Sequence, residues 1–240
     1  MTLPAMRARL LGRGGIDIAD AAVPSRRQEQ VAPAPARRRG DRLADFAGRA
    51  VIVALFTLFL TAIIGDFSRT GRVTGLLLVA SEGLVVVLTL FRRSASWLDR
   101  SWRARILTGL SLLGPPLVRP AASASIVPDG VTVALSAVGL TIVVAGKISL
   151  GRSFGLMPAN RGIVCGGVYR FLRHPIYAGY LVTHVAFLAA HLTPLNVALL
   201  LVADIALLAR AVLEERTLAL DPLYLSYQQR VRWRVVPGVF

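Results

Sequence analysis

The chain has 240 residues, of which 55% are hydrophobic, with a mean hydropathy of +0.61 and a formal net charge of +15. This is far more apolar residue than a soluble domain of this length needs for its core, so the composition indicates a membrane protein. The 28 Lys and Arg residues lie mostly between apolar segments instead of forming a patch with interleaved aromatics, so we expect no nucleic-acid partner. The single cysteine, Cys165, excludes an internal disulfide and any multi-cysteine metal site.

Residues 1–45 are rich in Ala, Pro and Arg and show no sustained hydrophobic period, which predicts a disordered basic tail. No apolar run of signal-peptide length occurs before Phe46. We divide the remainder into N-terminal membrane helices over 46–150 and a C-terminal core over 151–240.

Six apolar segments follow the tail, and we predict an all-α polytopic membrane bundle of about six transmembrane helices. The segments are 46–64, 73–91, 105–118, 131–150, 175–192 and 195–213. Most approach the roughly 20 residues that cross a bilayer, but Gly114, Pro115 and Pro116 would break or kink the short third segment. Two arrangements stay open for it: a re-entrant helix, or a continuation past Arg119 to Val127.

The positive charges determine the predicted orientation. With six spans and the N-terminus inside, the inside segments hold 22 Lys and Arg residues and the outside loops hold three. Such a bias is typical of cytoplasmic loops, whereas an odd number of spans would place an arginine-rich end outside. We therefore expect an integral protein of a bacterial inner membrane with both termini in the cytoplasm.

The sequence Arg-His-Pro-Ile-Tyr-Ala-Gly at 173–179 marks the junction between a basic loop and the fifth apolar segment. Proline suits the first turn of a helix, so Pro175 is predicted to begin this helix, with Arg173 and His174 at its mouth. The unpaired first amides of the helix, together with Arg173, would then make a site for an anionic group. A positively charged membrane anchor explains the same residues equally well.

A two-residue link separates the last two segments, which predicts an antiparallel helical hairpin. The hairpin brings the end of the sixth segment beside the start of the fifth, where they form one interfacial pocket. The residues expected to meet there are Arg173, His174, Tyr177, Glu214 and Glu215.

Ionisable residues inside membrane spans usually face protein or water. The cases here are Glu82, which we expect to pair with another span, Lys147, which we expect to reach the inner interface, and Asp204. Several tyrosines and histidines share one face of the fifth segment at about 100° per residue; they are Tyr177, Tyr180, His184 and His191. That face forms either a polar channel or, as we favour for His191 and Tyr180, hydrogen bonds that hold the hairpin together.

Metal and nucleotide motifs are missing from the sequence. The three histidines, His174, His184 and His191, have the wrong helical phase to bind one metal ion, so we predict no metal site. No glycine pattern has the strand and helix context of a Rossmann or phosphate-binding loop.

The run Gly-Val-Tyr-Arg-Phe-Leu-Arg-His-Pro-Ile-Tyr-Ala-Gly at 167–179 is followed by an apolar hairpin, by Glu214-Glu215, and by a tail with Tyr224, Tyr227 and basic residues. This combination resembles the isoprenylcysteine carboxyl methyltransferase family, whose pattern is Gly-x-Tyr, Arg-His-Pro-x-Tyr-x-Gly, Glu-Glu and Tyr-x-x-Tyr. The resemblance covers about Gly151 to Pro237. Leu220-Asp221-Pro222 departs from the pattern, which often has an aromatic residue and Gly before the first tail tyrosine, and this affects the expected shape of the tail.

The resemblance implies an integral membrane enzyme that uses S-adenosylmethionine, with residues 151–240 as a methyltransferase-like core that contains the cofactor pocket. The implied cofactor-binding residues are Tyr169, Arg173, His174, Pro175, Tyr177, Glu214 and Glu215. The implied methyl acceptor is a lipophilic small molecule or a lipid that enters from the bilayer. A carboxylate acceptor needs no strong base, whereas an alcohol or phenol needs one, for which His174 and Glu214 are the catalytic candidates.

Two other functions stay open from the sequence. Membrane reductases of the sterol and steroid type share a related C-terminal hairpin and use NADPH. A membrane protein that binds or passes a ligand without turning it over is the non-enzymatic alternative. The identity of the acceptor and the oligomeric state are not determined by the sequence.

Overall fold

A computed structural model describes residues 39–70, 73–119 and 126–240, and these residues are mostly helical. The helices are α1 (Arg39–Thr70), α2 (Val73–Phe91), α3 (Trp102–Leu117), α4 (Asp129–Leu150), α5 (Pro175–Ala190), α6 (Pro194–Leu218) and α7 (Pro222–Arg230). Two short antiparallel strands, β1 (Trp97–Leu98) and β2 (Ala159–Asn160), pair with Trp97 opposite Asn160. The six predicted apolar segments are confirmed as helices α1 to α6.

Helices α4 and α6 supply the two segments long and apolar enough to cross a membrane, at Asp129–Ser153 and Pro194–Leu218. Only 33% and 39% of their most apolar windows are buried inside the protein, so both helices expose apolar surface that a soluble core helix would cover. Helices α3 and α5 have 16 residues each, which is about 24 Å, against roughly 30 Å of hydrocarbon. An integral membrane protein is thus supported, while six complete spans are not established.

Two predicted boundaries change in the structure. Helix α1 already includes residues 39–45, which the sequence assigned to the tail, because Arg42, Leu43 and Ala44 are strong helix formers; residues 1–38 of the predicted tail lie outside the described residues. Helix α3 runs through Pro115 and Pro116 before Val118 becomes extended, so the helix does not continue toward Val127. Pro115 and Pro116 have no amide hydrogen to donate to the Ser111 and Leu112 carbonyl oxygens, and α3 ends one residue after Pro116.

The helices pack in a spatial order that differs from the chain order. Helix α1 contacts α2, α2 contacts α4, α4 contacts α5, α5 contacts α6, and α6 contacts α3. The contact between α4 and α5 is close because Gly139 and Gly179 face each other. A Cβ at Gly179 would lie 2.6 Å from the Gly139 carbonyl oxygen and 2.9 Å from the Val143 amide nitrogen. Small side chains here place the start of α5 directly against α4.

A buried ion pair joins α2 to α4. The Lys147 Nζ atom donates to the Ser81 carbonyl and hydroxyl oxygens, both at 2.8 Å, and lies 3.6 Å from Glu82 Oε1. The expected pairing of Glu82 with another helix is confirmed. The expectation that Lys147 reaches the interface is wrong, because these oxygens hold its fully buried ammonium group inside the protein.

Helices α5 and α6 form the predicted antiparallel hairpin. Thr193 caps α6 by accepting from the Asn196 amide, and the Asn196 side chain donates to the His191 carbonyl oxygen. Along the hairpin, residues successively farther into α5 pair with residues successively nearer the start of α6. The pairs are Tyr177 with Glu214 and His184 with Asp204.

Candidate functional site

The site lies where the start of α5, the end of α6 and the C-terminal tail meet. Pro175 occupies the first turn of α5, as predicted, and His174 precedes it in a non-helical conformation. The tail fixes this entrance, because the Arg173 amide donates to the Trp233 carbonyl oxygen at 3.0 Å and the His174 amide donates to the Arg234 carbonyl oxygen at 2.7 Å. Two chain segments therefore hold the Arg-His-Pro junction in place.

Glu214 takes its closest partners from the hairpin itself. Its Oε1 atom accepts from the Tyr177 hydroxyl at 2.6 Å and from Arg210 Nε at 3.1 Å. Arg210 also lies over the Tyr177 ring, with 5.4 Å between its Cζ atom and the ring centroid. These three side chains form a cluster between α5 and α6.

Glu215 takes its partners from the loop before α5 and from the tail. Its Oε1 atom lies 3.2 Å from Arg173 Nη1 and 3.3 Å from His174 Nε2. Its Oε2 atom accepts from Arg234 Nε at 2.9 Å and from Gln228 Nε2 at 3.4 Å. These contacts connect three chain segments through one carboxylate, and that carboxylate is buried.

The His174 ring lies between the two carboxylates. Its Nε2 atom faces Glu215, its Nδ1 atom lies 3.7 Å from Glu214 Oε2, and the ring stacks on Tyr177 with centroids 5.2 Å apart. Both ring nitrogens are thus directed at carboxylate oxygens.

The expected anion site at the first amides of α5 is wrong. Pro175 has no amide hydrogen, and the amides of Tyr177 and Ala178 donate to the His174 carbonyl oxygen. The remaining Ile176 amide is packed against Gly146 of α4. Arg173, whose Nε atom has no partner among the described residues, can still hold an anion at this entrance.

Helix α7 carries the two tail tyrosines into the site. The residues that depart from the family pattern, Leu220-Asp221-Pro222, lie at the start of this helix. Asp221 caps the helix by accepting from the Leu223 amide, and it also accepts from the Asn160 side chain at 3.0 Å. Tyr227 donates its hydroxyl to the Tyr169 carbonyl oxygen at 2.6 Å. Tyr169 packs against Tyr227, and within the described part of the chain it has no hydrogen bond to Glu214 or Glu215.

Among the buried polar atoms without a protein partner in the described part of the chain, two belong to this site: Arg173 Nε and the Tyr224 hydroxyl. Burial raises the pKa of Tyr224 above its ordinary value, and the nearby Glu215 raises it further. Burial likewise raises the pKa of Tyr169 and of Tyr227. All three tyrosines therefore stay neutral at physiological pH, and the Tyr224 hydroxyl is available as a hydrogen-bond donor or acceptor.

The structure brings together five of the predicted residues: Arg173, His174, Tyr177, Glu214 and Glu215. Their catalytic and cofactor-binding roles stay predictions. The sequence reasoning missed Arg210, Gln228 and Arg234. The spacing of Arg210 four residues before Glu214 is a signal that could have identified the first, but no local pattern indicates the other two.

A second polar pair lies farther along the hairpin. His184 Nδ1 and Asp204 Oδ1 are 2.6 Å apart, and the Tyr180 ring stacks on His184 at 6.4 Å. This contact between α5 and α6 is of the hydrogen-bonding kind considered for the polar face, at His184 instead of the favoured His191 and Tyr180.

A helical membrane protein with a cluster of charged side chains at the base of its last hairpin is the class that the fold and the site define. Residues 133–220 match the model of the Isoprenylcysteine carboxyl methyltransferase (ICMT) family. The match covers just over a third of the chain, from α4 to the end of the hairpin, and confirms the family resemblance over that segment. It supports a membrane methyltransferase in general. No individual curated protein matches the chain.

Proposed function

We propose that this chain is an integral membrane methyltransferase that transfers a methyl group from S-adenosylmethionine to a lipophilic acceptor bearing a carboxylate. The observation that carries the proposal is the convergence of Arg173, His174 and Tyr177 on Glu214 and Glu215, inside the segment that matches the family. The residues come from separate segments about 40 positions apart and share one buried cluster.

The residues present suit such a cofactor. A polar ligand would satisfy the two orphaned atoms, Arg173 Nε and the Tyr224 hydroxyl, which are otherwise costly to bury. When bound, S-adenosylmethionine supplies a methyl group on a sulfonium cation. Arg173 would hold the carboxylate of its amino-acid end, and Glu214 or Glu215 would hold its amine or ribose hydroxyls.

The occupied hydrogen bonds favour an acceptor that needs no base. Methyl transfer to a carboxylate mainly requires that donor and acceptor are held together away from water. Both nitrogens of His174 face carboxylates, and Glu214 Oε1 accepts from two donors, so both candidate bases are engaged by other side chains of the site. In this proposal their role is to position other groups.

The proposed orientation follows the charges. The site faces the cytoplasm of a bacterium, both termini are cytoplasmic, and the lipophilic acceptor enters from the bilayer between six membrane helices. The basic connecting segments on the side of the site support this orientation.

Calorimetry with S-adenosylmethionine tests the cofactor assignment. We expect the protein in detergent to bind it, and Arg173→Ala and Glu214→Ala to abolish binding. The matched control is Arg170→Ala, which removes an exposed arginine three residues away. Unchanged affinity in Arg173→Ala and Glu214→Ala would contradict the assignment, and stabilisation by NADPH instead of S-adenosylmethionine in a thermal-shift assay would favour the reductase alternative.

A labelling experiment tests the acceptor. The protein is incubated with methyl-labelled S-adenosylmethionine and total membrane lipid extract, and the labelled product is isolated. A methyl ester, which releases its label in mild base, is expected. A label that survives this treatment would contradict the carboxylate acceptor while leaving the methyltransferase intact.

A further inference from the structure

Two adjoining cavities, of about 390 and 510 Å³, lie between α3 and α6 at the end of the molecule that holds the site. They share Arg103, Leu213 and Arg216 as lining residues, and we name them together the α3–α6 groove. Both volumes are in the range of ligand-binding cavities. The groove is distinct from the site, because none of the residues that line it belongs to the cluster around Glu214 and Glu215.

The floor of the groove is apolar. The residues that form it are Ile106, Leu107, Ala209, Val212 and Leu213. The floor continues into a row of exposed side chains along α3, namely Ile106, Leu110, Leu113 and Leu117. This row is about 16 Å long, close to half of the roughly 30 Å hydrocarbon thickness. Its length therefore suits one acyl chain within one leaflet.

The rim of the groove is basic and aromatic. Arg103 and Arg216 are exposed, and no ion pair with a carboxylate is recorded for either within residues 39–70, 73–119 and 126–240. Arg103 lies over the Trp102 ring at 5.7 Å, and Trp97 also lines the rim. Tryptophan is enriched at the level of lipid headgroups. The carboxylate of Asp99 is the acidic group on the rim, and it accepts from the Ser101 amide at 2.8 Å.

We propose that the α3–α6 groove binds one anionic phospholipid, with its phosphate at Arg103 and Arg216 and an acyl chain along α3. Two arginines and one acidic residue give the rim a net positive charge that complements a phosphate. The exposed apolar row along α3 complements an acyl chain. A free phosphate would leave the row exposed, and a neutral lipid would leave both arginines without a counter-charge. This inference does not depend on the proposed methyltransferase activity.

Tryptophan quenching by brominated lipids tests the proposal directly. The protein carries Trp97→Phe and Trp233→Phe, so that Trp102 reports on the groove, and is titrated in mixed micelles with brominated-chain phosphatidylglycerol or phosphatidylcholine. We expect half-maximal quenching at a roughly thirtyfold lower mole fraction of phosphatidylglycerol, since the two arginines near a lipid surface contribute about 1 kcal/mol each. Native mass spectrometry of the wild-type chain should show preferential retention of phosphatidylglycerol, which gives a readout independent of the tryptophan substitutions.

Charge-matched variants decide whether the groove is responsible. The double variant Arg103→Gln with Arg216→Gln should remove the preference for phosphatidylglycerol, while Arg170→Gln with Arg230→Gln, which loses the same charge elsewhere, should keep it. The proposal would be overturned if both lipids quench Trp102 equally when Arg103 and Arg216 are present. It would also be overturned if both double variants lose the preference for phosphatidylglycerol equally. A brominated fatty acid that competes as well as phosphatidylglycerol would also overturn it, since the groove would then recognise a carboxylate amphiphile.

Discussion

Glu214 and Glu215 are neighbours in the chain, but they hold different parts of the molecule together. Glu214 bonds within the hairpin, to Tyr177 and Arg210, whereas Glu215 bonds to the loop before α5 and to Arg234 of the tail. Adjacent helix positions point about 100° apart, so one pair of like charges can serve two partners. Each glutamate of the Glu-Glu motif therefore has its own structural role.

Removing the hydroxyl group from each of the two tail tyrosines should affect the free energy of unfolding differently. Tyr224→Phe removes a buried hydroxyl without a partner, so we expect an unchanged or slightly higher free energy of unfolding, together with weaker S-adenosylmethionine binding. Tyr227→Phe removes a hydroxyl that donates to the Tyr169 carbonyl oxygen, and we expect it to lower the free energy of unfolding by about 1 kcal/mol. Thermal unfolding in detergent and calorimetry measure both quantities.

The raised pKa values of these tyrosines define the conditions for that measurement. A group whose pKa is higher in the folded state than in the unfolded state contributes its full stabilisation of the fold below its pKa in the unfolded state, which is near 10. This contribution is lost as the pH rises through the pKa in the folded state. Differences between the variants should therefore be constant from pH 6 to about 9. A strong pH dependence within that range would contradict the neutral state assigned to both hydroxyls.

At the scale of helices, the base of the hairpin is positioned by the contact between α4 and α5. A side chain at position 179 meets the backbone of α4, which cannot move aside as a flexible side chain can. The position of α5, and with it the position of Tyr177 against Glu214, depends on this contact.

Gly179→Ala tests the contact between α4 and α5. We expect a loss of about 1–3 kcal/mol in the free energy of unfolding, as for other overpacked interiors, together with weaker cofactor binding. The control is Gly109→Ala in α3, where nothing lies within 4 Å of an added Cβ, so better helix propensity should leave stability equal or higher. Equal effects of the two substitutions would show that the close approach is not important.

The pair His184 and Asp204 tests the role of the polar face. A double-mutant cycle of His184→Ala and Asp204→Ala should give a coupling energy of about 0.6–2 kcal/mol, in the range of hydrogen bonds between membrane helices. Affinity for S-adenosylmethionine should change less than about twofold, since neither residue belongs to the cluster at the glutamates. Lost turnover with unchanged stability would instead indicate a polar path through the hairpin.

At the scale of the whole molecule, the connecting segments that the structure describes gather at two ends. The Arg93 amide donates to the Arg152 carbonyl oxygen, β1 pairs with β2, and Asn160 bonds to Asp221, so the segments predicted to lie inside meet at the end that holds the site. At the other end the Arg119 backbone bonds to Asn196 beside the turn of the hairpin. This grouping agrees with the alternation of sides that the charge bias predicts.

Cysteine labelling tests the predicted orientation in the membrane. Cys165 is exposed in the loop before α5, so a membrane-impermeant maleimide should label it only from the cytoplasmic side. In a Cys165→Ser background, the exposed Asp129 at the start of α4 can be changed to cysteine, and Asp129→Cys should be labelled only from the opposite side. Labelling of both from one side would contradict the orientation.

Features that depend on neighbours in the chain were determined by the sequence. Apolar runs predicted the helices, Pro175 predicted the start of α5, and the short link predicted a hairpin that brings Arg173 and His174 to the glutamates. Packing between distant segments decided the rest. Lys147 is held inside the protein by oxygens 66 positions away, and Arg234 reaches Glu215 from a tail with no local signal. A helix or a turn follows from local chemistry, whereas a buried charge takes whichever partner the tertiary structure brings within reach, and no period in the sequence records that choice.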